Sequence, residues 1–289
     1  VEAWGVNFID VLCSVGLHPV LRDPVFVPGH EVAGVVTHVG ASVQNMRPGD
    51  RVMALLGEGG FARRVVTSAH LAMALPERMS ASEGASMLVT GLTAVAVIEE
   101  AARLRRGESI LIQSAAGATG MALVQLALHH GGTVFGTASR PEKLSRLRAM
   151  GVQHVIPYTE RDFEEAVLEQ TDGVDIVVDS LSGDAIRKGL RILRTGGRFI
   201  ELGAGASVEV PSIDPAALFL ANQSFIGVNL SQMMSNPVRL AQLQDRLRVL
   251  MEEGALKPLI GHKLGFSEVP AAMDLLRSRR SIGKIVLTA

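Results

Sequence analysis

Ser109-Ile110-Leu111-Ile112-Gln113-Ser114-Ala115-Ala116-Gly117-Ala118-Thr119-Gly120 is the stretch whose reading decides the fold. A short apolar strand runs into a turn of small residues, and an uninterrupted helical pattern, Met121 to His130, follows. That order is a dinucleotide-binding fingerprint with its first glycine replaced by alanine. Small residues at Ala116, Gly117, Ala118, Thr119 and Gly120 let the backbone approach a pyrophosphate, whose charge sits at the amino end of the helix. The alternative, a turn that is tight only for packing, fits the glycines but gives no reason for the strand before and the helix after.

About twenty residues further on, a chain selecting NAD places Asp or Glu at the tip of the second strand to hold the ribose 2′-hydroxyl. This chain has Ala138-Ser139-Arg140 there, with Lys143 just beyond and Glu142 past the tip. Hydroxyl and cationic groups suit a 2′-phosphate, so the expected cofactor is NADPH. A solvated, basic helix start is the competing account of Arg140.

Outward from this motif, strand-like runs (Ser109–Gln113, Thr133–Thr137, His154–Ile156, Val174–Asp179, Gly197–Leu202) alternate with helical ones at Met121–His130, Glu142–Met150, Phe163–Gln170 and Ala185–Leu193. Such alternation builds βαβ units around a parallel sheet. Phe225–Leu230 adds a sixth strand, and Pro237–Glu253 a long helix stopped by Gly254. Before the motif, Glu31–Val39, Arg51–Leu55 and Phe61–Thr67 are short runs between turn signals and predict a compact β domain. Ser80-Ala81-Ser82-Glu83 is a capping box opening a helix through about Ala102. The last 35 residues return to short strands. The fold class is α/β: a β domain over 1–86 and 255–289, and a doubly wound nucleotide-binding domain over 87–254.

The 289 residues are 47% apolar and carry 28 basic against 29 acidic side chains. That balance argues against nucleic acid or an anionic membrane as partner and favours a small molecule. One cysteine, Cys13, allows no intramolecular disulfide and no zinc site built on two thiolates. A reducing, cytoplasmic setting is the expectation. The longest apolar stretch, Leu88–Ile98, falls short of the ~20 residues that span a bilayer, and no signal peptide is visible. The chain opens at Val1-Glu2-Ala3-Trp4-Gly5, which reads as the middle of an ordered element and as a piece cut from something longer. His30-Glu31 invites a metal test, but a catalytic zinc needs three ligands, and only His18 and Cys13 lie upstream nearby. No metal is expected; His30 reads as a turn histidine beside a strand.

Several motifs together resemble the medium-chain dehydrogenase/reductase superfamily: Asn7-Phe8-Ile9-Asp10, Gly29 to Gly34, Pro48-Gly49-Asp50-Arg51-Val52, Gly59-Gly60-Phe61-Ala62, Leu92-Thr93-Ala94, the Ala115 to Gly120 loop and Ile282 to Leu287. The resemblance covers nearly the whole chain and implies a GroES-like β domain with a Rossmann domain inserted in it, and a cleft between them. In the zinc branch, metal-binding cysteines fall near Asn7 and Val89; this chain has neither. It is therefore similar to the zinc-free branch of quinone oxidoreductases and synthase enoyl reductases. Asp179 to Ile186, Gly196 to Gly203 and Asn222 to Phe225 look most like enoyl reductase domains of polyketide synthases. Tyr158 resembles the quinone oxidoreductase pattern instead, and His30 the alcohol dehydrogenases.

That likeness implies hydride delivery from NADPH to the β-carbon of an enoyl thioester on an acyl carrier protein, beside other megasynthase domains. A free-standing NADPH-dependent quinone or enone reductase is the alternative, and a silent, crystallin-like binding module a third reading. Ring closure instead of saturation stays open for substrates carrying a leaving group, as do acyl chain, stereochemistry and oligomeric state. The proposed proton donors of synthase domains fall at His18, Lys143 and Asp162. Lys143 competes with 2′-phosphate binding, and Asp162 with capping of the helix it precedes. Asn7 and Thr90 resemble residues beside the nicotinamide, and Tyr158 an adenine or 2′-phosphate neighbour. Gly203, Ala204, Asn229 and Leu230 follow strand ends where doubly wound sheets bind ligands, and Lys284 is expected to reach the pyrophosphate.

Overall fold

A computed structural model describes residues 1–17, 26–181, 183–203 and 212–289. The chain divides into two compact units, Val1–Leu92 with Leu230–Ala289, and Thr93–Asn229.

The first unit is built on a six-stranded sheet among the described residues, in the order β11-β12-β1-β2-β3-β4. Its strands are β1 (Ala3–Val6), β2 (Glu31–Val35), β3 (Arg51–Leu55), β4 (Ala72–Ala74), β11 (Ile260–Gly265) and β12 (Lys284–Thr288). The first and last strands of the chain pair antiparallel, Ala3 opposite Thr288 and Val6 opposite Ile285. Trp4, Val6, Val32, Ala54, Ile285 and Leu287 supply its core, covered by Ala272 of α10 (Val269–Arg277). Phe61–Thr67, expected as a strand, is not one. Its opening amides serve the loop at 28–29, Gly60 N–H donating to Gly29 O and Phe61 N–H to Pro28 O.

Helix α2 (Ala81–Val95) begins at the expected capping box, with Ser80 N–H donating to Glu83 Oε2 at 2.8 Å. It continues as a wider turn through Ala101. By length and composition the helix Ala81–Ala101 passes as a membrane span, yet 72% of its apolar window is buried inside the protein. Helix α9 (Pro237–Glu252) lies in this unit, where the sequence suggested the nucleotide-binding segment. Gly91 on α2 makes room for it: a Cβ there would stand 2.6 Å from Leu247 Cδ1.

The second unit holds β5 (Ser109–Ile112), β6 (Thr133–Ala138), β7 (His154–Pro157), β8 (Val174–Asp179), β9 (Leu193–Glu201) and β10 (Ser224–Gly227), ordered β10-β9-β8-β5-β6-β7. Every pairing is parallel. The connecting helices are α3 (Ala118–His129), α4 (Pro141–Ala149), α5 (Phe163–Leu168), α6 (Asp184–Arg191) and α7 (Pro215–Leu220). One in-register row, Phe225, Phe199, Val177, Leu111, Phe135 and His154, crosses all six strands. Its ends are stacked rings, Phe199 on Phe225 at 5.0 Å and Phe135 on His154 at 4.1 Å. Helices α5 and α6 close over this row through Phe163, Ala166, Val167 and Ile186. The order reverses at β5, the switch point where such a sheet takes a ligand beyond its strand ends.

The two ends of the first unit are tied by a buried ion pair. Lys284 at the start of β12 pairs with Glu31 at the start of β2, and their side chains are 2% and 0% exposed. Lys284 Nζ also donates to Asn7 Oδ1 at 2.6 Å, while Glu31 accepts from Asn7 Nδ2 and from the Val89 amide, each at 2.9 Å. Removing one partner of such a pair leaves an uncompensated buried charge. Lys284→Met should therefore cost about 3–5 kcal/mol in chemical denaturation of the first unit, and adding Glu31→Gln should recover much of that loss. An unchanged midpoint for Lys284→Met would contradict this role.

Candidate functional site

The turn after β5 is held from below. Ser114 adopts a positive φ of 52°; its amide donates to Thr137 Oγ1 at 3.1 Å and that of Ala115 to Thr137 O at 3.0 Å. Gly117 then caps α3 with its backbone alone. The first bond of the helix is Met121 N–H to Gly117 O, so the amides of Ala118, Thr119 and Gly120 have no acceptor within it. A Cβ on Gly120 would lie 2.5 Å from Ser114 O and 2.7 Å from Ala115 Cα. The glycine thus lets the helix start close against the turn, with its positive dipole end and free donors at the carboxyl edge of the sheet. Ala116 is buried in the same turn.

At the neighbouring tip, Ser139 and Arg140 follow β6 and Arg140 precedes α4 as its N-cap, with Lys143 in its first turn. Tyr158 follows β7 directly; its amide donates to Ala138 O at 3.2 Å, and Thr159 Oγ1 donates to Ser139 O at 3.2 Å. Ser139, Arg140, Lys143 and Tyr158 are thereby brought to one edge of the sheet beside the α3 turn. Arg140 is exposed and Lys143 buried. Gly203 stands at the carboxyl end of β9, and Asn229 shortly follows β10. These residues fit a dinucleotide: free helix amides for a pyrophosphate and a hydroxyl with two cations for a ribose phosphate.

Asn7, Thr90, Leu230 and Lys284 belong to the first unit. Thr90 Oγ1 donates back to Ser86 O along α2 at 3.0 Å. Leu230 begins α8 (Leu230–Met234). Lys284, expected to reach a pyrophosphate or stand in solvent, is instead buried, with its ammonium bonded to Glu31 and Asn7. Asp162, a candidate proton donor, caps α5 by accepting from Glu164 N–H at 2.9 Å and pairs with Lys188. Partial burial raises its pKa, but the Lys188 and Glu164 hydrogen bonds outweigh that and hold it below the usual carboxylate range. That direction is wrong for an acid. His18 and Ala204 lie outside the described residues.

Among the described residues, the side chains of the first unit do not match a zinc ion. Lys284 brings an ammonium to Asn7. His30 Nδ1 is taken up by Asp10 Oδ1 at 2.6 Å. Burial, aided by Asp10 and Glu58, pushes the Cys13 thiol up to about 11, far from the thiolate a metal needs. Among the described residues no group of three His, Cys, Asp or Glu is placed to hold a metal ion.

Sequence reasoning did not single out three polar side chains along the same edge. Gln113, Asp179 and Glu201 end neighbouring strands and are all at most 5% exposed. Both polar atoms of the Gln113 amide and Oε2 of Glu201 lack a hydrogen-bond partner. The signal was present: each polar residue closes an apolar run, where the pattern alone leads one to expect a solvated strand end.

Two family models match the chain, an alcohol dehydrogenase GroES-like domain over residues 1–77 and a zinc-binding dehydrogenase over 150–287. The phenolphthiocerol synthesis polyketide synthase type I Pks15/1 of Mycobacterium marinum is 38% identical over all of this chain. The chain spans about 13% of the length of that curated relative. The solved CurK enoyl reductase is 32% identical with a TM-score of 0.89, all of this chain matching 89% of that one. A quinone oxidoreductase from Thermus thermophilus, whose structure includes a complex with NADPH, is 33% identical with a TM-score of 0.85, all of this chain matching 90% of it.

If Asp162 is a cap and not an acid, Asp162→Ala should lower stability by about 1 kcal/mol and leave nucleotide affinity and turnover unchanged. A large loss of turnover with stability intact would restore it as a donor.

Proposed function

Because this chain belongs to the medium-chain dehydrogenase/reductase family, we propose that it is an NADPH-dependent enoyl reductase that saturates an α,β-unsaturated acyl thioester presented by an acyl carrier protein. The observation that carries this reading is the pairing of two edges in the second unit: the α3 turn with its free amides, and the tip Ser139-Arg140 with Lys143, which has no carboxylate at the place where an NAD enzyme holds the ribose. The CurK enoyl reductase and the polyketide synthase relatives support the thioester over other acceptors. They also support a place among the domains of a synthase, with the carrier protein as partner.

NADPH, when bound, supplies a hydride to the β-carbon of the acceptor. Ala118, Thr119 and Gly120 hold the pyrophosphate with backbone amides, and Ala116 and Gly117 let it approach. Ser139, Arg140 and Lys143 hold the 2′-phosphate, with Tyr158 beside it. Gly203 and Asn229, at the ends of β9 and β10, flank the nicotinamide half. The thioester oxygen gathers charge as the hydride arrives, and the α-carbon then takes a proton. We assign that proton to His18, an imidazole being a side chain that serves as general acid. We assign Lys143 to the 2′-phosphate, a task that suits a cationic side chain.

A free-standing quinone reductase is the second reading, favoured by the 33% identity to the Thermus enzyme. NADPH consumption at 340 nm with crotonyl-pantetheine thioester, beside a simple quinone and repeated with NADH, separates the two. Thioester turnover preferring NADPH is expected; quinone turnover alone would move the assignment, and tight NADPH binding with no turnover of either would favour a binding module. Lys143→Ala should raise the Michaelis constant for NADPH about tenfold or more and leave that for NADH nearly unchanged, as loss of a charge-assisted hydrogen bond requires. Equal effects on both cofactors would refute phosphate recognition.

A further inference from the structure

Gln113 follows β5 at the point where the order of the second sheet reverses. Its backbone N–H donates across to Val178 O on β8 at 3.1 Å, and the next residue, Ser114, opens the turn before α3. The Gln113 side chain is 3% exposed, yet neither Nε2 nor Oε1 has a hydrogen-bond partner. Among the described residues no other side chain leaves two buried polar atoms unbonded.

The strands on either side do not supply the missing bonds. Ile112 is in register with Gly136 on β6 and with Val178 on β8, so one step further Gln113 stands between Thr137 and Asp179. Thr137 Oγ1 accepts from the Ser114 amide, and Asp179 Oδ1 from the Leu181 amide. A carboxamide buried without partners is destabilising, whereas a leucine of similar size in its place would not be. The strand before it, Ser109–Ile112, is buried throughout, so packing alone favours an apolar residue here.

The chemistry of the amide narrows what completes it. A carboxamide carries two N–H donors and one acceptor oxygen, so an occupant that satisfies it must both accept and donate. A phosphate oxygen accepts only and would leave Oε1 unpaired. A sugar hydroxyl does both, and a vicinal diol meets the two atoms at once.

Position narrows it again. The strands run in the order β8-β5-β6. With the 2′-phosphate at Ser139, Arg140 and Lys143 beyond β6, and the pyrophosphate at the α3 amides after β5, a dinucleotide laid along this edge continues towards β8. Its next group is the ribose of the nicotinamide half, which carries two free hydroxyls. Gln113 stands on that path, at the switch point where a doubly wound sheet opens its crevice.

We propose that the Gln113 carboxamide binds the hydroxyls of the nicotinamide ribose, which makes Gln113 a further cofactor-contacting residue. The proposal rests on the NADPH reading above. It accounts for a polar side chain kept where packing favours an apolar one: the bonds its amide lacks within the protein are made to the cofactor.

Gln113→Leu separates this role from packing. NADPH affinity, read by the fluorescence of the bound dihydronicotinamide, should fall about tenfold, the effect of losing hydrogen bonds to an uncharged partner. Adenosine 2′,5′-bisphosphate carries the adenine ribose and its phosphates but lacks the nicotinamide half, so its affinity, read by competition, should not change. The denaturation midpoint of the ligand-free variant should be equal to that of the parent or higher, because an apolar side chain replaces an unpaired amide. Gln113→Met, unbranched and of matching length, repeats the test if the leucine variant folds poorly. Unchanged NADPH affinity would overturn the proposal. An equal loss for NADPH and the bisphosphate would overturn it too, by assigning Gln113 to the turn before α3, as would a lower midpoint in both ligand-free variants. If neither ligand binds the parent, the NADPH reading itself fails.

Discussion

The buried pair of Lys284 and Glu31 is the constraint on which the first unit depends. A charge in that interior is tolerable only with its partner, so β12, close to the carboxyl end, has to return to β2 near the amino end. Asn7 and the Val89 amide complete the bonds of Glu31, which fixes the corner between β1 and α1 (Phe8–Ser14) and a turn of α2 to the same point. With 253 residues separating the two charges in sequence, everything between Thr93 and Asn229 is an insertion into a unit that is already tied at both ends.

In the second unit the sheet arranges its residues in two transverse rows with opposite tasks. The row from Phe225 to His154 is the core, covered by α5 and α6. The row one step towards the carboxyl edge is polar: Glu201, Asp179, Gln113 and Thr137. Thr137 holds the turn before α3, and Asp179 and Glu201 hold the loops after β8 and β9. At the carboxyl ends of β6, β8 and β9 a buried polar group thus holds a neighbouring backbone amide. Burying such groups is costly unless they are bonded.

Much of this was legible in the residues. The strand, small-residue turn and helix around Gly117 identified the nucleotide-binding unit, and β-branched runs located its six strands to within a few residues. The capping box at Ser80 and the stop at Gly254, whose φ is +73°, were local chemistry and therefore readable. Phe61–Thr67 failed because alternation reports side chains, whereas the Phe61 amide at its start donates to Pro28 O. The place of α9 was hidden because it depends on the contact of Leu247 with Gly91, far apart in sequence. Lys284 was expected at the pyrophosphate for the same reason: nothing local announces a partner at Glu31. Asp162 was readable as a cap, and its pairing with Lys188 was not.

The central claim is that NADPH delivers a hydride to the β-carbon of an enoyl thioester. The most direct measurement supplies NADPH carrying deuterium at the transferable C4 position, with crotonyl-pantetheine thioester as acceptor, and locates the label in the product by mass spectrometry and NMR. The account predicts one deuterium on the β-carbon of the saturated thioester and a solvent-derived proton on the α-carbon. Oxidised cofactor with no deuterium in any acyl product, while a quinone is reduced under the same conditions, would contradict it.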